Sequence, residues 1–270
     1  MIMKIYHNGK IADKDTLEEI FEPGFLFGWG VFETLRAYNG KVPFLDLHIA
    51  RLNDALNTLG IEELKTDFKA KINELLKVNN LEDAYIRITA YKKRESTGVL
   101  IYADKFGYYP QSAYEKGFSA VISPYRRNIK NNFYTIKSLS YLENRLSWFE
   151  AQKQNKDEAL VLNEDGFLSG GSRSNLFIVK DQDVITSSIE SGAFDGITRK
   201  IVISELKKMN ISVKEAQISI ENLFSCAKEA FLTSALLEAM PLVECGGKKI
   251  GDGKPGKVTL NVLEQYRSIL

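Results

Sequence analysis

Apolar residues in this chain recur at two spacings, and the switches between them mark the elements. Val31–Tyr38 mixes β-formers with polar residues, Asn39-Gly40 is a strong turn signal, and Lys41–Leu45 returns, so residues 29–45 predict a hairpin. Ile49, Leu52, Leu56 and Leu59 then repeat at three- and four-residue intervals, which predicts a helix capped by Asp46 and stopped by Gly60. Phe68, Ile72, Leu75 and Leu76 share one face of a second helix, expected over 67–78. Residues 84–92 and 99–103 read as strands. The pattern breaks over Ser123–Asn132, where Pro124, Arg126, Arg127 and paired asparagines predict a linker. Beyond it come a helix at 141–154, strands at 158–163 and 174–179, and a helix from Ile197. Strands at 211–216 and 229–234 and a helix from 257 complete the chain. With neither a strict βαβ rhythm nor an internal repeat, the expected class is α+β, with subdomains over 1–122 and 133–270 joined by the linker 123–132.

Composition narrows the function classes. The 270 residues can bury a sizeable core. A hydrophobic share of 44% and a charged share of 26% are those of a soluble globular protein. The net charge of +1 gives no electrostatic reason to bind nucleic acid or an anionic membrane. Cys226 and Cys245 form neither a metal-type cluster nor a disulfide framework, so a reducing cytoplasm is expected. His7 and His48 are too few and too isolated for a metal site, and His48 reads as a packing or hydrogen-bonding residue of the first helix. The opening residues lack the apolar run of a secretory signal, and no stretch approaches the roughly 20 apolar residues that span a bilayer.

Four short segments carry candidate chemistry. His48–Arg51 places a planar cation, suited to phosphate, on a helix. Gly196–Arg199 opens a helix whose N-terminal N–H groups and dipole favour an anion, with the Thr198 hydroxyl beside them. Lys137 lies between apolar Ile136 and Leu139 just before a helix, and a lysine in a dry pocket can lose its proton and attack a carbonyl. Glu164–Asn175 contains a glycine-rich turn. An amine with two phosphate holders suggests a phosphorylated aldehyde. Each feature also has an ordinary reading: a solvated arginine, a common helix start, a surface lysine. Gly251–Val258 fits the phosphate-loop spacing but has Val258 where magnesium needs a hydroxyl, and Pro255 removes a backbone donor, so it reads as a turn. Gly28-Trp29-Gly30 lacks the third glycine of a dinucleotide fingerprint.

In their order, Gly28–Arg36, His48–Arg51, Ile136-Lys137, Asp157–Leu162, Gly171–Phe177, Gly196–Arg199 and Gly251–Gly256 resemble the class IV aminotransferases over nearly the whole chain. This is the fold-type IV pyridoxal-phosphate family, which includes branched-chain and D-amino-acid aminotransferases and aminodeoxychorismate lyases. The resemblance implies a D-amino-acid-aminotransferase-like fold of two subdomains and a homodimer acting on a small amino-carboxylate. It implies a Schiff base on Lys137, which then shuttles a proton between substrate Cα and cofactor C4′. Arg51, Ile197 and Thr198 would bind the phosphate of pyridoxal 5'-phosphate, with Ser234 reaching the same region. Tyr141 would support the phenolic oxygen, after a one-residue gap. On the substrate side it implies Phe32, Arg36, Arg87 and Ala235.

The chain departs from the family at Gly170. There the family has a cofactor-binding glutamate that faces the pyridine nitrogen and keeps it protonated, making the ring a better electron sink. Ser172–Phe177 fixes the register, so Gly170 stands in the acid's place. Another carboxylate could take over, the chemistry could need less ring protonation, or the protein could bind cofactor with weak turnover. The substrate-side signals divide. Tyr85-Ile86-Arg87 resembles branched-chain enzymes, whereas Ser234–Pro241 and Leu142-Glu143 resemble the lyase, which releases pyruvate and 4-aminobenzoate. The reading adopted is amino-group transfer to a 2-oxo acid, with aminodeoxychorismate lysis as the alternative.

Overall fold

The computed structural model describes residues 3–107 and 109–270. A small ribbon of β1 (Lys4–His7) and β2 (Lys10–Asp13) and the short helix α1 (Pro23–Phe27) precede a three-stranded antiparallel sheet. That sheet joins β3 (Gly30–Ala37), β4 (Ala84–Lys92) and β5 (Thr97–Lys105), with β4 central. The helices α2 (Leu45–Thr58) and α3 (Phe68–Val78) lie between β3 and β4 in sequence. The alternation in β4 explains the packing. Ala84, Ile86, Ile88 and Ala90 are buried with Leu52, Leu56, Ile72 and Leu76 of the helices. Tyr85 and Arg87, of opposite parity, belong to the other face. In β3, Val31 and Leu35 take the core side, leaving Phe32 and Thr34 on the second face.

Asp67 caps α3 as an Asx side chain should, its Oδ1 accepting from Ala70 N at 3.0 Å. For α2 the cap differs from expectation. The N-cap is Phe44 in a left-handed conformation with no side-chain bond, and Asp46 lies in the first turn, where its charge suits the dipole. The predicted hairpin is also corrected. Asn39-Gly40 does turn the chain, but the return is a single Tyr38–Lys41 bridge, and β3 finds its full partner in β4.

After α4 (Gln111–Lys116) the chain enters β6 (Phe118–Arg127), α5 (Leu142–Lys153), β7 (Glu158–Asn163), β8 (Leu168–Gly171), β9 (Asn175–Lys180) and β10 (Asp183–Ser187). Then come α6 (Ile197–Lys208), β11 (Ser212–Ala216), β12 (Glu229–Ser234), β13 (Glu238–Cys245), the short β14 (Lys248–Lys249) and α7 (Lys257–Ser268). One sheet takes the order β11-β10-β9-β12-β13-β6-β7-β8, with β14 on β13. It curls until β8 meets strands at its far end. Gly171 N donates to Ser174 O at 2.8 Å, and Ser187 Oγ donates to Leu168 O at 2.6 Å. Phe177 and Phe231, register partners on β9 and β12, stack at 4.8 Å in its core. Segment 123–127, expected as linker, is strand. It pairs in parallel with β7 through a register shift between Ile122 and Arg126, which accommodates Pro124. Among the described residues no helix is long and apolar enough to cross a membrane.

Glu238 ties the two sheets together. Its buried carboxylate accepts from Arg36 of β3 at 2.9 Å, from Tyr38 at 3.1 Å and from Arg267 of α7 at 2.6 Å. Removing it strands two guanidinium groups, one of them largely buried. Glu238→Ala is expected to lower unfolding free energy by about 3 kcal/mol in a denaturant titration; a change under about 1 kcal/mol contradicts this clamp.

Candidate functional site

The second face of the small sheet and the inner rim of the curled sheet enclose a cavity of about 1200 Å³. Phe32, Thr34, Tyr85 and Arg87 line it from the small sheet, and Ser169, Gly171, Asn175, Thr233 and Ser234 from the large one. Lys137 also lines it. The segment before α5 is pinned to β3: Phe32 N donates to Lys137 O at 2.9 Å, Leu139 N to Gly30 O at 2.9 Å, and Val31 bridges Ser138. Gly30 allows that approach, since a Cβ there would lie 2.7 Å from a Leu139 methyl carbon.

The Lys137 amine sits over three rings, 4.7 Å from the centre of Phe32, 5.2 Å from Phe194 and 5.9 Å from Tyr141. Burial of the nitrogen pulls its pKa down to about 8, helped by the Arg51 and Arg87 charges and opposed by Glu33. A neutral amine is therefore accessible near neutrality, which a nucleophile needs. The same shift is a folding penalty. Unfolded lysine holds its proton up to about 10.5, so the penalty is full below pH 8 and fades as pH rises toward 10.5. Lys137→Met is expected to stabilise the cofactor-free protein by roughly 2 kcal/mol at neutral pH, with the gain vanishing by about pH 10.5. Thermal melts across that range check it; a pH-independent difference would contradict it.

Arg51 is aimed by Glu33, a residue whose role the sequence reading missed. Its Nε and one terminal nitrogen each donate to the Glu33 carboxylate at 2.7 Å, and the other terminal nitrogen reaches Asp195 O at 3.0 Å. His48 Nδ1 lies 2.8 Å from the same carboxylate. Burial pushes the Glu33 carboxyl up, but the His48 and Arg51 bonds outweigh it and hold the pKa at about 2. His48 and Arg51 share one face of α2 because they are three positions apart.

Gly196 is the N-cap of α6 and offers no side-chain cap, so the N–H groups of Ile197 and Thr198 face the cavity without an intrahelical partner. A Cβ on Gly196 would lie 2.2 Å from Asn175 Oδ1, so only glycine keeps this mouth open. Ser234 and Ala235 line the adjoining turn, and buried Thr233 Oγ1 has no hydrogen-bond partner among the described residues. Tyr141 stands at the other side, its ring edge-on to Phe32 at 5.1 Å and its hydroxyl donating to Ser172 O at 3.2 Å. Burial lifts its pKa to about 12, so it remains a donor. Arg87 lies over Phe32 at 3.8 Å, with Nε on Thr89.

Two expected site residues lie outside the cavity lining. Arg36 does not line the cavity; it is engaged by Glu238 and packed 3.8 Å from the Phe106 ring centre. Gly170 does not line it either. Its φ of 138° and the Ser174 carbonyl, 2.8 Å from where a Cβ would stand, leave no room for a side chain. The sequence reading also missed Phe194, Asn175, Arg127, Arg145 and Arg173 of the lining. The phosphate-loop lookalike is closed. Glu229 already accepts from Val258 N, Thr259 N and Thr259 Oγ1, which fills the N-terminus of α7.

Among the described residues lining the cavity, Glu143 is the single carboxylate, against Arg51, Arg87, Arg127, Arg145, Arg173 and Lys137. Such a field suits an occupant with several negative charges. The residues present fit pyridoxal phosphate: an amine for its aldehyde, an open helix mouth with Arg51 for its phosphate, and a phenol for its ring oxygen.

A family model for amino-transferase class IV matches residues 30–245. The chain is 34% identical to a putative branched-chain-amino-acid aminotransferase of Methanocaldococcus jannaschii, over 99% of this chain and 96% of the relative. It is 32% identical to the aminodeoxychorismate lyase of Bacillus subtilis, over 89% and 86%. Among solved structures, the Escherichia coli branched-chain amino acid aminotransferase superposes with a TM-score of 0.86 at 27% identity, covering 99% of this chain and 94% of the other. The branched-chain aminotransferase of Thermoproteus uzoniensis, solved with norvaline, gives 0.83 at 29% identity, covering 99% and 94%.

Proposed function

The chain belongs to the class IV amino-transferases, and we propose that it moves an amino group between a small amino acid and a 2-oxo acid. The observation that carries this is Lys137, an amine with its pKa lowered to about 8, in a cavity that also holds an open helix mouth and Arg87 of the small sheet. Pyridoxal phosphate, which class IV aminotransferases use, supplies an aldehyde for the amine and a ring that draws electrons from the substrate Cα. Arg51 and the N-terminus of α6 hold the phosphate, and the Tyr141 hydroxyl, turned from Ser172 O, donates to the ring oxygen. The Arg87 guanidinium, on the cavity face of β4, binds the substrate carboxylate. Phe32, Phe194 and Tyr141 exclude water around Lys137, which keeps its amine ready to accept the Cα proton and return it.

Lysis of aminodeoxychorismate is the second reading. The surplus of cavity arginines favours it, since one phosphate and one carboxylate do not use them all. Product analysis separates the two. With amino acids and 2-oxo acids, the proposal expects a new amino acid and no pyruvate from aminodeoxychorismate. Pyruvate and 4-aminobenzoate would instead establish the lyase, and neither product, despite bound cofactor, would identify a weak paralogue. The protein is expected to act as a homodimer, covering exposed Phe25, Leu26, Phe27 and Trp29 near the cavity mouth. Sedimentation should then give twice the chain mass.

A further inference from the structure

Arg127 is a buried cation with no ion-pair partner among the described residues. It ends β6, 9% exposed, and its side chain lines the cavity. Other buried or half-buried arginines have partners: Arg51 has Glu33, Arg199 has Glu215 and Ser187 O, and Arg36 has Glu238. Its neighbour Arg126 donates to Asn163 O at 3.0 Å. Among the described residues the Arg127 guanidinium has no hydrogen bond or ion pair. Leaving a desolvated guanidinium unpaired is costly, and a ligand is the usual remedy. Burial lowers its pKa, while Glu143, Tyr141 and Tyr134 favour the charged form, and arginine keeps its proton in proteins.

Its place in the cavity indicates which ligand atom it meets. A Cβ on Gly192 would lie 3.3 Å from Arg127 Cγ and 3.0 Å from Ser169 Oγ, so the arginine stem runs beside Ser169, the residue before Gly170. The Ser169 hydroxyl is already spent on Ser191 O at 2.8 Å. In pyridoxal phosphate the aldehyde carbon and the ring nitrogen are para. Lys137 is fastened to β3, while Arg127 and Ser169 line the cavity from β6 and β8 of the large sheet, so a ring held at Lys137 by its aldehyde would present its para nitrogen to these residues if it reached across the cavity. The backbone at Gly170 rejects a side chain, so the acid is not merely deleted there; its place is built shut.

We propose that the Arg127 guanidinium donates to the ring nitrogen of bound pyridoxal phosphate and holds that nitrogen unprotonated. This rests on the cofactor reading above. A cation beside a pyridine nitrogen disfavours a second positive charge. The ring is then a weaker electron sink than one paired with an acid. Arg127 is thus a residue that sets which reactions the cofactor favours.

The test uses the full chain loaded with cofactor carrying an isotopically labelled ring nitrogen, read by nitrogen NMR. Loading is scored first, as a borohydride-reducible adduct on Lys137; its absence overturns the cofactor reading and the proposal with it. In loaded wild type the nitrogen is expected to keep its neutral-pyridine shift from about pH 9 down to about pH 6. In Arg127→Gln it should titrate within that range, and Arg127→Lys should restore the neutral shift. A protonated nitrogen in loaded wild type at about pH 7 overturns the proposal alone, whether or not the variants fold. So does a titration unchanged in Arg127→Gln.

Discussion

Lys137→Ala is expected to lose at least about 1,000-fold in turnover, because one atom would otherwise serve as nucleophile toward the cofactor and as acid–base toward the substrate. The loss should appear in kcat, and free amines should restore little of it, since the three rings around the nitrogen leave a narrow, oriented position. The fold should survive. The backbone of residue 137 holds its bridge to β3 whatever the side chain, and removal of a buried amine relieves a penalty. Single-turnover kinetics on folded variant check this. A variant with more than about a tenth of wild-type kcat would move the chemistry to another group.

Glu33→Ala is expected to weaken cofactor binding by about 10- to 100-fold. Glu33 touches no ligand. It fixes the Arg51 fork through two bonds of 2.7 Å and holds His48 at 2.8 Å, all in a buried setting. Without it, Arg51 keeps its charge but loses its aim, and an arginine's value to phosphate lies largely in geometry. Half-buried Arg51 also loses its anion and buried His48 its hydrogen-bond partner, so stability should fall by about 3 kcal/mol. Titration of folded variant with pyridoxal phosphate separates the effects. An unchanged Kd would show that the helix mouth holds the phosphate alone.

Local pattern locates α2, α3, β4, α6 and α7, because each has a periodic apolar face or a clear cap. It misses what the tertiary structure decides. β8 is Leu-Ser-Gly-Gly, with little strand propensity, and is a strand because β7 binds it and Ser174 closes it. Pro124 and two arginines disguise β6 as a linker, although the parallel strands beside it supply its hydrogen bonds. Sequence pattern therefore puts Arg127 in a linker, while the fold makes it a buried cavity cation with no ion pair among the described residues. Arg36 is the opposite case. Its motif position suggests substrate, but Glu238, 202 residues away in sequence, claims it. The absence of an acid at Gly170 is legible from the register of Ser172–Phe177; that the backbone has closed the position is not. Glu33 lies in a recognisable strand, yet its work requires α2 to pack over that strand.

On this reading Lys137 receives pyridoxal phosphate in the cavity. Borohydride reduction of cofactor-loaded protein, followed by peptide mass mapping, tests it most directly. The expected result is a visible absorbance band that reduction abolishes, with the phosphopyridoxyl mass on the peptide containing Lys137 and no band in Lys137→Ala. Label spread over surface lysines, or a band that survives in Lys137→Ala, would contradict it.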